Sequence, residues 1–231
     1  MKNLLIYINQ KDKKFGKEHE DLTKIQIDNS LSLGWKLEDI LLVTNFSYEY
    51  KGVKSIVVGD YTVFDQDRST KIPAINELFE KGIIEDNELY WFHDHDAFQL
   101  VPFEIELDRD AGFTTHGAYN SKLWNAGSFF FKKNAKDIFL DIWKYMELRS
   151  TNEQNALTYM WQNDINGVNA RCEMMNMTYN IGIYKIPENV KNSQLPIKVA
   201  HFHPHKKKHL DLYRNILPDR LMKIFNEYGI N

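Results

Sequence analysis

The chain has 231 residues, of which 43% are hydrophobic and 26% are charged, and its formal net charge is −3. This composition predicts a soluble globular protein, and the slightly acidic charge argues against stable binding to nucleic acid. A single cysteine, Cys172, excludes an internal disulfide and favours a reducing compartment, so we expect a cytoplasmic protein. No apolar run approaches the ~20 residues of a transmembrane helix, and the N-terminal run is too short for a signal peptide.

The first part of the chain alternates between predicted strands and predicted helices. Apolar and β-branched runs predict strands at residues 4–8, 40–44, 55–58 and 89–92, and stretches ended by glycines predict helices at 18–33 and 69–81. Ser69 or Thr70 is expected to cap the second helix. This alternation predicts an α/β fold with a mostly parallel sheet, in which ligands bind at the carboxyl ends of the strands.

The second part is less regular but contains no repeat, low-complexity tract or linker, so we expect a single domain over residues 1–231. The predicted strands are residues 111–115, 127–132 and 197–203, and the predicted helices are 134–148, 152–162 and 218–228. The segment 174–184 is apolar and broken, which indicates a strand followed by a loop.

Asp94 and Asp96 follow the apolar run at residues 89–92. Side chains two positions apart on a strand point the same way, and two carboxylates that close repel each other unless a cation lies between them. The pair therefore predicts a divalent metal site, which in such a crevice usually holds phosphates. The alternative is that the aspartates only cap a turn, as the same spacing in Asp108 and Asp110 illustrates. His93 and His95 are expected to pack elsewhere.

His201 and His203 end a late predicted strand. If this strand and the acidic one reach the same crevice, an imidazole joins the two carboxylates, and the preference shifts from Mg²⁺ towards Mn²⁺. Which of the two histidines is the ligand stays open.

Three further segments offer polar groups for a ligand. Asn125 lies in a small-residue turn before a triple-Phe strand, where it either binds a ligand or shapes the turn. Glu153 and Gln154 begin a predicted helix, where they either complete a capping box or act on a sugar. Lys71 and Lys206 either contact a diphosphate or are merely solvated.

Taken in order, these segments resemble the GT-A class of nucleotide-sugar glycosyltransferases, and within it the small glycogenin-like and nucleotide-diphospho-sugar transferase families. The segments that carry the resemblance are residues 4–9, 94–96, 110–115, 124–129, 152–157 and 200–203. The chain departs from the usual pattern after the late histidine, where Phe202 and His203 stand in place of a glycine-containing motif.

This resemblance implies a GT-A-like (Rossmann-like) domain with a nucleotide-binding half at residues 1–100 and an acceptor and sugar half at 101–231. It also implies a role for each motif. The nucleobase, usually uracil, would be held by Tyr7, Ile8 and Asn9. The metal would be ligated by Asp96 and His201, while Asp94 would contact the sugar or ribose and assist the metal. The sugar pocket would be lined by Asn125, and Glu153 and Gln154 would lie beside the anomeric carbon or the acceptor.

The resemblance thus implies a metal-dependent enzyme that uses Mn²⁺ or Mg²⁺ to move a sugar from a nucleoside-diphosphate sugar, UDP-linked, to an acceptor hydroxyl, with retention favoured. Two alternatives remain. A nucleotidyltransferase acting on a sugar phosphate would usually show a Gly-rich loop after the first strand, where this chain has one glycine, Gly16. A non-catalytic module would bind a sugar nucleotide or glycan without transfer.

Overall fold

The computed structural model describes residues 1–61, 63, 67–115, 124–183 and 186–231, without the side chains of residues 67 and 68. The strands are β1 (Lys2–Tyr7), β2 (Ile40–Thr44), β3 (Glu49–Tyr50), β4 (Val53–Val57), β5 (Tyr90–His93), β6 (Ala97–Gln99), β7 (Ala111–Thr115), β8 (Trp124–Phe131), β9 (Cys172–Met175) and β10 (Val199–His201). The helices are α1 (Lys17–Ser32), α2 (Lys71–Glu80), α3 (Lys136–Arg149), α4 (Glu153–Gln162), α5 (Val168–Arg171), α6 (Ile186–Asn192), α7 (Lys207–Tyr213) and α8 (Asp219–Glu227).

Eight of the described strands form one sheet in the order β3-β4-β2-β1-β5-β8-β7-β9. β1 pairs in parallel with β2 and β5, β2 with β4, and β7 with β9. β8 is antiparallel to both of its neighbours, and β3 is antiparallel to β4. Six strands therefore run in the same direction, which confirms the predicted α/β fold with a mostly parallel sheet.

Apolar side chains cover the central strands on both faces, which explains their continuous hydrophobic sequences. Leu4 packs in the cluster that contains the apolar faces of α2 and α3, whereas its neighbour Leu5 packs with Ile27 of α1 on the other side. Between β5 and β8, the rings of Phe92 and Phe129 stack at 4.7 Å. Because side chains alternate along a strand, such two-sided burial fixes the register and the place where each strand ends.

A second, two-stranded sheet connects the acidic loop to the last part of the chain. β6 pairs antiparallel with β10, so that His201 lies opposite Ala97. Phe98 and Phe202 from this small sheet pack with Phe225 of α8 in a separate apolar cluster. The loop after β5 and the end of β10 are thereby held side by side.

The predicted elements correspond to elements of this structure, and β2 and β7 match the predicted ranges of 40–44 and 111–115; the short elements β3, β6, α5, α6 and α7 were not predicted. The predicted cap of α2 is correct in position, but it lacks the expected side-chain hydrogen bond. Within the described residues, Thr70 takes the N-cap position without a capping hydrogen bond from its side chain, and the hydroxyl of Ser69 donates to Glu153 instead. The predicted broken segment is β9 followed by a 3₁₀ turn (Met177–Tyr179), and its last residue, Tyr184, lies outside the described residues.

Among the helices that the structure describes, none combines the length and the apolar character required to cross a bilayer.

Candidate active site

A cleft of about 330 Å³ opens at the carboxyl ends of β1 and β5, beside the start of β8. Its size lies at the lower end of the range of small-molecule sites. The structure brings ten of the eleven predicted site residues to its walls: Tyr7, Ile8, Asn9, Lys71, Asp94, Asp96, Asn125, Glu153, Gln154 and His201. Lys206 is not among the described residues that line the cleft; it is exposed, and its backbone begins α7.

Asp94, Asp96 and His201 form a three-residue group in which one ligand atom from each lies within 4.8 Å of the others. His201 Nε2 is 3.1 Å from Asp96 Oδ1 and 3.9 Å from Asp94 Oδ2. Two carboxylates and an imidazole, mostly withdrawn from water, form a donor set that suits Mn²⁺ or Mg²⁺. The residues therefore fit a divalent cation.

The electrostatics of this group favour its charged forms. Burial by itself opposes the positive charge on His201, but the carboxylate of Asp96 outweighs it and holds the pKa of His201 above its usual value. Burial likewise opposes the negative charge on Asp96, but His201 and then His203 outweigh it and lower the pKa of Asp96 strongly. Without a metal, a proton shared with the imidazole offsets part of the negative charge that a cation would otherwise neutralise.

His203 also reaches the group, through Asp96 alone. Its Nε2 atom is 3.3 Å from Asp96 Oδ2, so the two oxygens of this carboxylate face two different imidazoles. Because His201 approaches both aspartates and His203 approaches one, the geometry favours His201 as the ligand.

Lys71 lies at the centre of the cleft wall and is buried. Its Nζ donates to Asp94 Oδ1 at 2.7 Å and lies 3.6 Å from Glu153 Oε1. Burial opposes its charge, yet the carboxylates of Asp94 and Glu153 prevail and keep its pKa above the usual value. Lys71 is therefore a fixed cation that holds two carboxylates in place.

Glu153 is fixed from three directions. Its backbone begins α4, whose N-cap, Asn152, accepts a hydrogen bond from the amide of Asn155. Its buried carboxylate accepts from the hydroxyl of Ser69 and faces Lys71. The capping role predicted for this segment thus falls to Asn152, which leaves the Glu153 carboxylate directed into the cleft.

At the other end of the cleft, the loop after β1 is shaped by Asn9 and Asn45. The Asn45 amide bonds both the backbone N–H and the C=O of Asn9, at 3.0 and 2.8 Å. The side chain of Asn9 is engaged within the same loop, where it accepts from the amides of Lys11 and Asp12. Asn9 therefore shapes the loop, and the ring of Tyr7, stacked at 4.8 Å on Phe15, forms its apolar wall.

His93 and His95 pack away from the aspartates, as predicted. His93 Nε2 bonds Asn3 at 2.8 Å, and His95 Nδ1 bonds the hydroxyl of Thr23 at 2.9 Å. Burial lowers the pKa of His93 to about 4 and that of His95 to about 3, so both are neutral at neutral pH.

Four residues of the site were not predicted from the sequence. Ser69 and Asn45 position Glu153 and Asn9, as described above. Gly127 lies against the imidazole of His201, where an added Cβ would come within 2.3 Å of Cε1. Asn180 accepts a hydrogen bond from His201 Nδ1 at 2.9 Å. Of these four residues, Gly127 alone could have been recognised from the sequence, because a glycine inside an apolar strand indicates that another group approaches the backbone closely.

Solved structures with the same fold are glycosyltransferases. One is involved in the glycosylation of the major capsid of PBCV-1; it is 12% identical, with a TM-score of 0.59 over 94% of this chain and 99% of that one. The galactosyltransferase LgtC, solved with donor and acceptor sugar analogs, is 10% identical, with a TM-score of 0.58 over 97% of this chain and 100% of that one. GlyE from Streptococcus pneumoniae is 11% identical, with a TM-score of 0.58 over 99% of this chain and 63% of that one.

The chain has the GT-A glycosyltransferase fold. The resemblance predicted from the sequence is therefore confirmed at the level of the fold. No protein-family model matches the sequence, and a search of curated proteins finds no significant match. The activity consequently has to be argued from the site itself.

Proposed function

We propose that this protein is a glycosyltransferase that moves a sugar from a nucleoside-diphosphate sugar, UDP-linked, to an acceptor hydroxyl. The observation that carries this proposal is the group of Asp94, Asp96 and His201, assembled within 4.8 Å at the carboxyl edge of the sheet in a glycosyltransferase fold. In α/β sheets this edge is the usual place for a ligand.

Asp96 and His201 would hold a Mn²⁺ or Mg²⁺ ion directly, and Asp94 would assist and contact the ribose or sugar. When bound, such an ion stabilises the negative charge that develops on the departing diphosphate. The chain contributes a fixed set of ligands, because Lys71 holds Asp94 and the β6–β10 pairing holds Asp96 beside His201.

Glu153 and Gln154 would lie beside the anomeric carbon or the acceptor, and Asn125 would line the sugar pocket. The contacts of Glu153 support retention of configuration. Its carboxylate is engaged by Ser69 and Lys71, so it is poorly placed to take a proton from an attacking hydroxyl, as an inverting mechanism requires. In a retaining reaction the departing phosphate oxygen is able to take that proton.

Tyr7 and Ile8 would contact the nucleobase in a loop shaped by Asn9, and Lys206 would contact phosphate from outside the cleft wall. Residues 1–100 would thus form the nucleotide-binding half, with residues 101–231 supplying the sugar and acceptor side. The cleft agrees with this division, because its walls take Tyr7 and Asp94 from one half and Asn125 and Glu153 from the other.

The test is a thermal-shift and turnover screen of UDP-sugars, GDP-sugars and nucleoside triphosphates, with and without Mn²⁺. We expect one UDP-sugar to raise the melting temperature when Mn²⁺ is present and to be hydrolysed or transferred. Asp96→Ala should abolish both effects. A response to triphosphates alone would instead support a nucleotidyltransferase, and binding without turnover would support a non-catalytic module.

A further inference from the structure

A row of buried polar side chains lies directly behind the imidazole of His201. Thr114 of β7 is fully buried and Asn180 is 2% exposed. Asn180 precedes Ile181, whose carbonyl accepts from the amide of His201 at 2.8 Å and from the Tyr213 hydroxyl at 2.8 Å. The backbone therefore holds Asn180 next to His201 with little freedom.

The hydrogen atoms of this row can be assigned from its contacts. The Thr114 hydroxyl lies 2.9 Å from the carbonyl oxygen of Ser128 and 3.0 Å from that of Asn125. Both are acceptors, so the single hydroxyl hydrogen is committed to them and the Thr114 oxygen must accept from its remaining neighbour. That neighbour is the Asn180 amide at 3.1 Å, which must therefore present its NH₂ group.

With its NH₂ group facing Thr114, Asn180 turns its Oδ1 atom to His201 Nδ1 at 2.9 Å. An amide oxygen can only accept, so Nδ1 must carry a hydrogen. Nε2 faces the carboxylates of Asp96 and Asp94 and carries a hydrogen while no cation is bound; a cation that displaces this hydrogen meets the lone pair of Nε2.

Gly127 fixes the same ring from another side. A Cβ at this position would lie 2.3 Å from Cε1 and 2.4 Å from Nδ1 of His201, so the absence of a side chain allows the imidazole to approach the backbone of β8. The ring is thus restrained by contact on one side and oriented by a hydrogen bond on the other.

We propose that Asn180, itself oriented by Thr114, is a positioning residue that selects the Nδ1–H tautomer of His201 and so directs the Nε2 lone pair at the cation site. This inference rests on the metal site of the proposed function and adds to it the residue that prepares the imidazole. Such outer partners typically change metal affinity by about 10- to 100-fold when they are removed.

The first experiment reads the tautomer directly. Long-range ¹H–¹⁵N correlation spectra of ¹⁵N-histidine-labelled protein are recorded with saturating Mg²⁺, a diamagnetic cation that displaces the hydrogen from Nε2, and His201 is assigned from the signals lost in His201→Ala. We expect the Nδ1–H tautomer in the wild-type protein and its loss in Asn180→Ala. A wild-type His201 in the Nε2–H form overturns the proposal, and this measurement requires no variant of Asn180 to fold.

The second experiment measures Mn²⁺ affinity by electron paramagnetic resonance, without nucleotide. We expect Asn180→Ala to bind Mn²⁺ about 10- to 100-fold more weakly. Asn180→Asp keeps an acceptor for Nδ1–H but loses the bond to Thr114, so it should retain most of the affinity. Equal losses in both variants would show a merely structural role, and an unchanged affinity in Asn180→Ala would also overturn the proposal.

The two proposals fail separately. If His201 has the Nδ1–H tautomer and Mn²⁺ binds as expected but no nucleotide sugar is turned over, the proposed function is wrong and the positioning role stands. If the protein transfers a sugar while its His201 has the Nε2–H tautomer, the positioning role is wrong and the proposed function stands.

Discussion

Two acidic segments with the same spacing, Asp94 to Asp96 and Asp108 to Asp110, have different surroundings in this protein. The first lies at the carboxyl end of β5, with a buried lysine and two histidines against it. The second precedes β7 on the outside, where Asp110 pairs with Arg171 at 2.8 Å and Asp108 is exposed. The difference shows that the position of the segment in the sheet decides whether the carboxylates converge with other polar side chains in a cleft.

The cations that accompany the two segments differ in the same way. Lys71 is 5% exposed and serves Asp94 and Glu153 inside the cleft. Arg171 is partly exposed and joins Asp110 to Asp137 at the surface, where water screens the pairs. Matched substitutions in the two segments therefore test whether the side chains of the cleft contribute more to activity and stability than their counterparts at the surface.

The largest effect is expected for Asp96→Asn. It removes the charge between His201 and His203, so we expect Mn²⁺-dependent sugar transfer to fall about 1000-fold, which corresponds to on the order of 4 kcal/mol. The matched control, Asp110→Asn, should leave turnover unchanged and cost less than about 1 kcal/mol of stability. Steady-state kinetics with and without Mn²⁺ measure the loss of turnover in Asp96→Asn. Similar turnover in Asp96→Asn and Asp110→Asn would contradict the prediction.

Replacing the cations should separate the two regions by stability. Lys71→Met leaves the buried carboxylate of Glu153 without its cation, so the free energy of unfolding should fall by about 3 kcal/mol. Arg171→Met breaks partly exposed pairs and should cost about 1 kcal/mol. Urea unfolding followed by circular dichroism measures both; a loss for Arg171→Met as large as that for Lys71→Met would show that burial does not distinguish them.

Two glycines provide a smaller steric test. In Gly127→Ala the new Cβ meets the ring of His201, so we expect Mn²⁺ to bind about tenfold more weakly. In Gly112→Ala, on β7, the Cβ meets the flexible side chains of Met175 and Leu107, so stability falls but Mn²⁺ affinity is unchanged. Mn²⁺ titrations of both variants decide between these outcomes, and equal affinities would remove the role assigned to Gly127.

The smallest effect concerns pH at the outer segment. Hydrogen bonds from Arg171 lower the pKa of Asp137 to about 2, from a usual value of 3.8. Because the folded pKa is depressed, this contribution to stability is complete above the usual value and disappears as the pH falls through about 2. The free energy of unfolding of the wild type should therefore exceed that of Asp137→Asn by a few tenths of a kcal/mol at about pH 5. Urea titrations should show this difference shrinking as the pH falls towards about 2.

The fold and most of the cleft were predictable because both depend on local patterns. Apolar runs marked β2 and β7 to the residue, and ligands were predicted to bind at the carboxyl ends of the strands, where Asp94 and Asp96 lie. Ten predicted residues do line the cleft. The alternation of elements indicates parallel strands, and parallel strands bring their carboxyl ends to the same edge of the sheet.

The remaining contacts depend on side-chain directions that no local pattern encodes. Ser69 or Thr70 was expected to cap α2 by residue type; Thr70 does hold the N-cap position, but the hydroxyl of Ser69 bonds Glu153, which lies 84 residues away in the chain. Asn9 was expected at the nucleobase; its side chain accepts from the amides of Lys11 and Asp12 in an Asx-type turn, and its contact with a base stays a prediction. Lys206 follows a histidine-rich strand but begins α7 on the surface, because the chain turns away after β10.

The pairing of β6 with β10 has a consequence for the order in which the protein forms. Asp96 and His201 are separated by 105 residues, so a ribosome completes β5 and β6 well before it supplies the strand that carries the imidazole. Until that strand arrives, β6 has a free edge and the acidic loop lacks its nitrogen donor. Under the proposed function, tight capture of a cation would therefore be a late event in biosynthesis, and it would report that β10 has docked.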